Sequence, residues 1–298
     1  MNVLITGSNG FVGKHLEAFL KTKDLNVMGV DLPTDLKILE IVDDIIYQKK
    51  PDYIFHLAAK AYVPSSFDDP QDVLVNNIIP AVNIFQTIKK YGLSTKVQVA
   101  SSSEQYGKVN PNEVPITEAN ELREMSPYAI SKTAMDKLAQ WYVNAYKLNI
   151  FITRGFNHSG PGRGEQYVTS TFAKQIAEIE VGKREYLSVG NLEAKRDFTD
   201  VRDMVRAYWL AVNKCIPGEP YNICSGKAYS IQEILNKLLA MSTQKNIEIR
   251  TDPSRMRVSD VPILYGDCSK FKQATGWEPE IDIDTTLKDL LDYWRKLI

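Results

Sequence analysis

Tyr128 and Lys132 are the two residues of this chain whose types and spacing could do acid–base chemistry. They lie four residues apart in a segment with helical periodicity, so their side chains share one face, one turn apart. A nearby cation favours the phenolate and lowers the pKa of a tyrosine. Such a pair could exchange a proton with a carbonyl oxygen near neutral pH. The same spacing also occurs on ordinary solvated helix faces, so the rest of the sequence must decide.

A glycine-rich turn follows the first apolar segment. Gly7, Gly10 and Gly13 have GxxGxxG spacing between a predicted strand and a predicted helix. In dinucleotide-binding folds, such glycines permit a tight turn, a close approach of the pyrophosphate and close packing of the helix. The N–H groups at the start of the helix would hold the phosphate charge. An ordinary surface turn is the alternative, but the strand–turn–helix context favours a dinucleotide site.

Asp31 lies at the end of the second predicted strand, eighteen residues after Gly13. A carboxylate at this position accepts hydrogen bonds from the adenosine ribose, which favours NAD(H) over its 2′-phosphorylated form. No arginine adjoins Asp31. We therefore expect NAD(H) as the preferred cofactor, with NADP(H) as the alternative. Asp31 could instead be a turn or capping residue, because Pro33 follows closely.

Short apolar strands alternate with longer helical patterns in the first half of the chain. The predicted strands are Val3–Thr6, Val27–Val30, Tyr53–Leu57, Val97–Ala100 and Phe151–Arg154, and the predicted helices are Val12–Leu20, Leu36–Gln48, Val73–Lys90 and Tyr128–Tyr146. This alternation predicts an α/β fold, a Rossmann-type doubly wound parallel sheet with helices on both faces. Only about twenty residues separate Asp31 from Tyr53, so we expect the strand that usually follows Asp31 to be trimmed or lost.

After about residue 156, loops lengthen and Gly and Pro become frequent. Helical patterns remain at Ser170–Glu180, Asp200–Val212, Ile231–Met241 and from Thr285 to the end. We expect residues 1–155 to form a dinucleotide-binding domain, to which about 195–226 return, and 156–298 to form a smaller C-terminal α/β substrate lobe. That lobe would cover the carboxyl edge of the sheet, where open α/β sheets bind their ligands.

Composition excludes several classes of function. The chain has 298 residues, of which 44% are hydrophobic, enough for a substantial core. A formal net charge of −1 indicates no nucleic-acid or membrane-surface partner. Three cysteines without CxxC spacing and three scattered histidines predict no metal site, and the thiols fit a reducing cytoplasm. With a strand predicted directly after Met1 and no apolar run near ~18 residues, we expect neither a signal peptide nor a membrane span.

The glycine turn, His56-Leu57-Ala58-Ala59 and the Tyr128/Lys132 pair, taken in this order, resemble the extended short-chain dehydrogenase/reductase family, in its nucleotide-sugar branch. The resemblance covers essentially the whole chain. Three further segments, 101–107, 154–162 and 189–198, are similar to enzymes that act on GDP-linked 6-deoxyhexoses. Within that group, the pattern is most similar to the reductases of GDP-4-keto-6-deoxymannose, and the GDP-mannose 4,6-dehydratases are near relatives.

The resemblance implies a role for each matching residue. Tyr128 would donate a proton to the sugar C4 oxygen, and Ser102 would hydrogen-bond that oxygen. Lys132 would hold the nicotinamide ribose and lower the pKa of the tyrosine. Glu104 could supply the additional base or acid of a dehydratase. The residues implied at the cofactor are Gly7, Asn9, Gly10, Phe11, Val12, Gly13, Asp31, Leu57, Ala58, Ala59, Asn77, Tyr128 and Lys132.

The resemblance also implies contacts to the GDP-sugar. The implied residues are Asn157, Asn191, Lys195, Arg196, Arg257 and Asp260. Asn157 and the two arginines would meet the diphosphate, because guanidinium forks suit phosphate oxygens. Asp260 would hold the GDP ribose, and Asn191 and Lys195 would meet the guanine or its ribose. Each basic residue could instead be a solvated surface charge.

We therefore expect NAD(P)H-dependent reduction at C4 of a GDP-4-keto-6-deoxyhexose, giving a GDP-6-deoxyhexose such as GDP-rhamnose. A GDP-mannose 4,6-dehydratase or a C4 epimerase would use the same trio, so both remain alternatives. A non-catalytic nucleotide-binding protein would be expected to lack the Ser, Tyr or Lys. The resemblance further implies a homodimer, with the helices at Val73–Lys90 and Tyr128–Tyr146 paired across a four-helix interface.

Overall fold

The computed structural model describes residues 1–255 and 261–298. The strands are β1 (Asn2–Thr6), β2 (Asn26–Val30), β3 (Tyr53–His56), β4 (Lys96–Ser102), β5 (Asn149–Gly155), β6 (Asn157–Ser159), β7 (Tyr186–Val189), β8 (Lys195–Asp200), β9 (Pro220–Ile223), β10 (Ala228–Ser230), β11 (Glu248–Thr251) and β12 (Ile263–Leu264). The helices are α1 (Phe11–Lys21), α2 (Leu39–Lys49), α3 (Ser65–Asp68), α4 (Pro70–Lys90), α5 (Pro127–Tyr146), α6 (Val168–Glu180), α7 (Val201–Lys214), α8 (Ile231–Ala240), α9 (Ser269–Thr275) and α10 (Ile283–Leu297).

A parallel sheet of six strands, counted over the described residues, has the order β2-β1-β3-β4-β5-β9. Because β1 lies between β2 and β3, the chain winds outward from β1 in both directions, which confirms the predicted doubly wound sheet. The expected loss of one strand is also confirmed, since β2 is an edge strand and the chain continues from it to α2. The reversal of direction beside β1 creates the crevice in which such sheets bind ligands.

Apolar side chains alternate between the two faces of this sheet, as the pleat of a strand requires. Val3 and Ile5 of β1 join one core, which α1 and α7 cover. Leu4 joins the other core, which α2, α4 and α5 cover. Burying such a side chain contributes roughly 1.5–3 kcal/mol, so these two cores hold the strand ends in fixed positions.

The helix predicted from Leu36 begins at Leu39 instead. Leu36 is nevertheless buried in the core, because the loop that carries it packs against α4. Asn83 of α4 donates a side-chain hydrogen bond to the carbonyl of Leu36 at 2.9 Å, and Asp35 accepts the N–H of Lys37 at 3.0 Å. The apolar pattern therefore begins before α2, because the loop that carries Leu36 is packed into the same core as the helix.

The second half of the chain forms a smaller layer of short strands and helices. β8 pairs with β6, β10 and β12, and β7 pairs with β11. The predicted helices of this half are confirmed as α6, α7, α8 and α10. Of these, α7 packs on the central sheet, and β9 extends that sheet beside β5. None of the described helices combines the length and apolar character that a bilayer crossing needs.

Candidate active site

A cleft of about 420 Å³ lies at the carboxyl ends of the central strands. This volume is within the range of small-molecule sites. The cleft brings together the glycine turn, the end of β4, the first turns of α5 and the loop between β6 and α6. The predicted residues that line it are Gly7, Gly10, Phe11, Val12, Gly13, Leu57, Ala59, Ser102, Glu104, Tyr128, Lys132 and Asn157.

The glycine turn has the geometry that a dinucleotide requires. Gly7 has φ +73°, and a Cβ there would lie 2.8 Å from the backbone nitrogen of Ala58. A Cβ on Gly13 would lie 2.3 Å from the carbonyl oxygen of Gly7. The start of α1 has no side-chain cap at Gly10 and no acidic residue in its first turn. Its N–H groups are therefore available to an anion, and the residues present fit a pyrophosphate.

Asp31 supports the glycine turn through its carboxylate. Its Oδ2 accepts the N–H of Asn9 at 2.7 Å, and its Oδ1 accepts the N–H of Leu32 at 2.8 Å. A carboxylate has about four lone-pair sites, so both oxygens can still accept a ribose hydroxyl. Asp31 and Asn9 adjoin the cleft lining rather than forming part of it.

Ser102 and Glu104 reach the cleft through a tight turn at the end of β4. The strand continues to Ser102, two residues beyond its predicted end. A 3₁₀ turn, Ser103–Tyr106, follows, and Ser102 Oγ accepts the N–H of Glu104 at 3.2 Å. This turn places a hydroxyl and a carboxylate at the same edge of the cleft.

Tyr128 lies in the first turn of α5, which Ser126 caps by accepting the N–H of Ala129 at 3.1 Å. Burial raises the pKa of the Tyr128 phenol, and the Glu104 carboxylate acts in the same direction, whereas a hydrogen bond with Ser102 acts against it. Burial is the largest of these effects, so the phenol of the ligand-free protein keeps its proton at neutral pH. Lys132 is not among the main groups that act on this pKa, and its lowering of the pKa stays a prediction.

Lys132 lies one turn after Tyr128 and is buried. Its Nζ donates to the carbonyl of Ala100 at 2.8 Å and lies 5.8 Å from the centre of the Tyr128 ring. Burial lowers the pKa of Lys132 to about 8. The side chain is therefore still mostly charged at neutral pH, as the predicted role requires.

Ala58 and Asn77 lie behind the residues that line the cleft. The N–H of Ala58 donates to Thr6 Oγ1 at 3.3 Å. Asn77 is buried, and its amide group is hydrogen-bonded to Lys60 and Ser131. The structure thus places Asn77 as a support of the cleft wall, not at its surface.

Of the predicted substrate residues, one lines the cleft and three lie together near the start of β8. Asn157 lines the cleft. Asn191 accepts the N–H of Glu193 at 2.9 Å, Lys195 is exposed, and Arg196 is buried with Nη1 donating to the Lys195 carbonyl at 2.9 Å. These three residues are at or just before the start of β8, which pairs with β12. The other two predicted residues, Arg257 and Asp260, lie outside the described residues.

Sequence reasoning missed a cationic and aromatic wall of the cleft. Arg163 stacks its guanidinium 3.4 Å from the ring centre of Tyr167 and 5.0 Å from that of Phe11. Burial lowers the pKa of this guanidinium, and within residues 1–255 and 261–298 it has no carboxylate partner. The His158 ring also stacks on Phe11, and Tyr208 also lines the cleft. The Gly/Pro-rich loop around Arg163 was a sequence signal, whereas Tyr208 has none.

Comparison with known sequences identifies the family. The sequence model described as GDP-mannose 4,6 dehydratase matches residues 32–290. The chain is 35% identical over 300 residues to GDP-6-deoxy-D-mannose reductase of Pseudomonas aeruginosa, covering 99% of this chain and 98% of that protein. The chain belongs to the GDP-mannose 4,6-dehydratase family. Another member, GDP-mannose 4,6 dehydratase of Homo sapiens, is 28% identical over 97% of this chain and 90% of its own length.

Solved structures confirm the fold of this GDP-mannose 4,6-dehydratase family member. The structure of RMD from Pseudomonas aeruginosa complexed with NADPH has a TM-score of 0.91 and 33% identity, covering 100% of this chain and 99% of the other. UDP-glucose 4-epimerase of Thermotoga maritima, solved with UDP-glucose, has a TM-score of 0.91 and 27% identity, with coverage of 100% and 99%. Both likenesses extend over the second half of the chain as well as the Rossmann-type sheet.

Proposed function

We propose that this protein reduces the C4 keto group of a GDP-4-keto-6-deoxyhexose with NAD(P)H, forming a GDP-6-deoxyhexose such as GDP-rhamnose. The observation that carries the proposal is the convergence of Ser102, Tyr128 and Lys132 with the glycine turn in one cleft. The 35% identity to a reductase, over the full length of both chains, supports this reaction above that of the less similar dehydratases. NAD(P)H use is also supported by the NADPH in a similar structure.

Tyr128 is the proton donor in this mechanism. A nicotinamide bound in the cleft would supply the hydride. Because burial keeps the phenol protonated, Tyr128 starts in the form that a reduction consumes. Ser102 lines the same cleft as Tyr128 and would share the developing charge on the C4 oxygen. Lys132, charged and buried beside the ring, would stabilise the phenolate left after proton transfer.

The glycine turn, Leu57 and Ala59 would hold the dinucleotide, and Arg163 would meet one of its phosphates. Asp31 lies beside the turn, where a carboxylate accepts ribose hydroxyls and repels a 2′-phosphate. We therefore propose NAD(H) as the preferred cofactor, with NADP(H) accepted. Affinities of the pure protein for NADH and NADPH, measured by calorimetry, test this preference. Tighter binding of NADPH would contradict it.

Asn157 would contact the substrate diphosphate from the cleft wall. Arg196 and Arg257 would hold the phosphate oxygens, and Asn191, Lys195 and Asp260 would hold the guanosine. Asn191, Lys195 and Arg196 lie together at or just before the start of β8, beside β12, which supports one shared nucleotide site. Calorimetry with GDP, using an Arg196→Gln variant, tests it, and an unchanged affinity for GDP would contradict it.

A dehydratase is the second candidate function, because Glu104 lines the cleft and acts electrostatically on Tyr128. A 4,6-dehydratase needs an additional base at C5 and an acid for the leaving 6-hydroxyl, and a carboxylate could do both. The lower identity to the dehydratases, 28% for the Homo sapiens enzyme against 35% for the reductase, argues against it.

One experiment separates the two reactions. The pure protein is incubated with GDP-4-keto-6-deoxymannose and NADH or NADPH, and separately with GDP-mannose alone. We expect stoichiometric oxidation of the cofactor in the first reaction and no 4-keto product in the second. A 4-keto product without added cofactor would favour the dehydratase. Full turnover by a Tyr128→Phe variant would contradict the assignment of the proton donor in either case.

We propose a homodimer that pairs α4 and α5 with the same helices of a second copy. Large apolar side chains are exposed on both helices, although each helix also faces the core. Val75 and Ile79 are four residues apart on α4, and Ile130 and Trp141 are eleven residues apart on α5, so each pair occupies one helix face. Trp141 is 52% exposed, which supports a covered surface in the assembled protein.

We propose that the protein is cytoplasmic. Cys215, Cys224 and Cys268 are free thiols, which fits a reducing compartment. Fractionation of the native host, followed by detection with an antibody, tests this location. Recovery outside the cytoplasmic fraction would contradict it.

A further inference from the structure

Asp136 continues the face of α5 that carries the acid–base pair. Tyr128, Lys132 and Asp136 are spaced by four residues each, so the three side chains form one stripe along the helix. Tyr128 and Lys132 line the cleft, whereas Asp136 lies one turn deeper and is fully buried. The stripe therefore ends in a negative charge that solvent does not reach.

An arginine of β5 holds this carboxylate. Arg154 Nε donates to Asp136 Oδ2 at 2.9 Å, and the two side chains are 5% and 1% exposed. Ser101 of β4 lies directly opposite Arg154 in the sheet, and its hydroxyl accepts a hydrogen bond from the Gln105 side chain. Burial raises the pKa of Asp136, and the Arg154 charge acts against that rise. The short contact with the Arg154 guanidinium is the geometry of an ion pair.

Arg154 is itself fixed by a chain of buried hydrogen bonds. Its Nη1 lies 3.0 Å from Tyr106 Oη, which donates to Asn222 Oδ1 of β9 at 2.7 Å. Asn222 Nδ2 in turn donates to the carbonyl of Ile116 at 3.0 Å. The ion pair is therefore anchored to two strands and a loop, and Arg154 holds the Asp136 carboxylate in one orientation.

Stability alone does not account for this ion pair. Two well-packed apolar side chains would usually be as stable as a buried pair, because desolvation of the charges offsets their attraction. Near the pair, however, Lys132 is a second buried cation. The groups that act on it are Tyr128 on its own helix, the Ala100 carbonyl on β4, His56 on β3 and Asp136. Among these, Asp136 is the one anion.

We propose that Asp136 is a positioning residue that supplies the buried negative charge holding Lys132 as an ammonium beside Tyr128. Burial lowers the pKa of Lys132, and Asp136 acts in the opposite direction, which agrees with this role. Without Asp136, Lys132 would lose its proton at a lower pH and could no longer stabilise a phenolate. The catalytic consequence depends on the function proposed above, but the charge state of Lys132 does not.

The test measures acetylation of Lys132 by acetic anhydride in the free protein, followed by mass spectrometry over a pH series. Only the neutral amine reacts, so the rate reports the proton on Lys132 without any assay of activity. Lys137, exposed on the same helix, serves as the reference for reagent concentration. The variants are Asp136→Asn and the double variant Asp136→Asn with Arg154→Gln, which leaves no buried guanidinium unpaired and so preserves the fold.

A fall of one unit in the pKa of Lys132 would raise its acetylation rate about fivefold at about pH 7. We expect at least this increase in Asp136→Asn and a smaller increase in the double variant, because the double variant also removes the Arg154 cation. Asp203→Asn is the matched control, because Asp203 is also buried and paired with an arginine, Arg206 at 2.8 Å, on another helix. In the Asp203→Asn protein, the acetylation rate of Lys132 should depend on pH as it does in the wild type. Equal profiles for the wild type and the double variant would overturn the proposal.

Kinetics then separate this proposal from the proposed function. If the protein is the reductase, kcat should fall at a lower pH in the double variant than in the wild type, with little change in KM. If the acetylation profile shifts but neither protein reduces the sugar, the proposed function is wrong and the role of Asp136 stands. If reductase activity is present and the acetylation profile does not shift, the role of Asp136 is wrong.

Discussion

Asn77 of α4 donates a side-chain hydrogen bond to Ser131 Oγ of α5 at 2.9 Å. Ser131 Oγ donates in turn to the carbonyl of Tyr128 at 2.7 Å. The other end of the Asn77 amide accepts the N–H of Lys60 at 2.7 Å. One buried asparagine therefore joins the loop after β3 to the helix turn that carries the proposed proton donor.

An Asn77→Ala variant should lose stability, because it leaves buried polar groups of Lys60 and Ser131 without partners. With net contributions of about 1 kcal/mol for each hydrogen bond, we expect the free energy of unfolding in urea to fall by about 2–4 kcal/mol. Asn144→Ala is the control, since Asn144 is exposed on α5 and its replacement should cost less than about 1 kcal/mol. A loss of cofactor affinity without a loss of stability would instead indicate a direct contact between Asn77 and the cofactor.

The stability of the protein should depend on pH through two buried histidines. Burial lowers the pKa of His56 to about 3 and that of His158 to about 4. Between those values and about 6.5, the unfolded chain binds more protons than the folded one, so the free energy of unfolding rises with pH. Burial raises the pKa of Asp197 to about 6, and this carboxyl acts in the opposite direction below that pH.

A His56→Asn variant isolates one of these contributions. The variant removes one of the protons that the unfolded chain binds and the folded chain does not. The slope of the unfolding free energy against pH should therefore be lower by up to about 1.4 kcal/mol per pH unit between about pH 4.5 and about pH 6. His158→Asn should lower the slope similarly, and the two effects should add. Urea unfolding at several pH values measures the slopes. Identical slopes for the wild type and His56→Asn would contradict the prediction.

Arg163 should matter more for ligand binding than for folding. Its guanidinium lies against Phe11 at the start of α1, and it has no carboxylate partner in the described part of the chain. A cation at a helix N-terminus is unfavourable without an anion, so Arg163→Gln should not lower the melting temperature of the ligand-free protein.

The same variant should bind NADH or GDP at least about tenfold more weakly, because a charged hydrogen bond contributes about 1.5–3 kcal/mol. Calorimetry with each ligand identifies which phosphate Arg163 meets. Arg184→Gln is the control, since Arg184 is already paired with Glu178 at 2.8 Å and should bind both ligands normally. Unchanged affinity for both ligands in Arg163→Gln would contradict the prediction.

Charge placed on the exposed face of α5 should dissociate the proposed dimer. Trp141→Glu would bury a carboxylate in the interface, so we expect a monomer in sedimentation velocity at concentrations where the wild type is a dimer. Val181→Glu is the control, because Val181 is 58% exposed at the end of α6, away from α4 and α5. A monomeric wild-type protein, or a dimeric Trp141→Glu variant, would contradict the proposed interface.

The sequence was most informative where the chain makes local, repeated patterns. The central strands and long helices were predicted within a few residues, because apolar periodicity follows the two faces of one sheet. The starts of α2 and α4 were each wrong by three residues, and at α2 the reason is that Leu36 packs like a helix residue but lies in a loop. The strands of the second half were not predicted individually, since β6, β7, β8, β10, β11 and β12 have two to six residues each and pair with distant segments.

For the candidate site, the motif residues Ser102, Tyr128 and Lys132 meet in the cleft as predicted from the resemblance. The direction of the Tyr128 pKa was not predictable, because it depends on how deeply the fold buries the phenol and on electrostatic effects of residues such as Tyr167 and Arg163, far along the chain. The sequence did not predict a role for Asp136. Its spacing from Lys132 is visible in the sequence, but its partner Arg154 belongs to β5, and only the fold brings the two together.

The core between the central sheet and α1 is completed late in the chain. Tyr221 and Ile223 of β9, and Phe271 and Trp277 near α9, are buried in the same core as Val3 and Leu16. On the ribosome, the first 155 residues therefore emerge long before the side chains that cover this face of their sheet. We expect the nascent chain to expose an apolar surface until synthesis is nearly finished, so its dependence on chaperones should be greatest just before release.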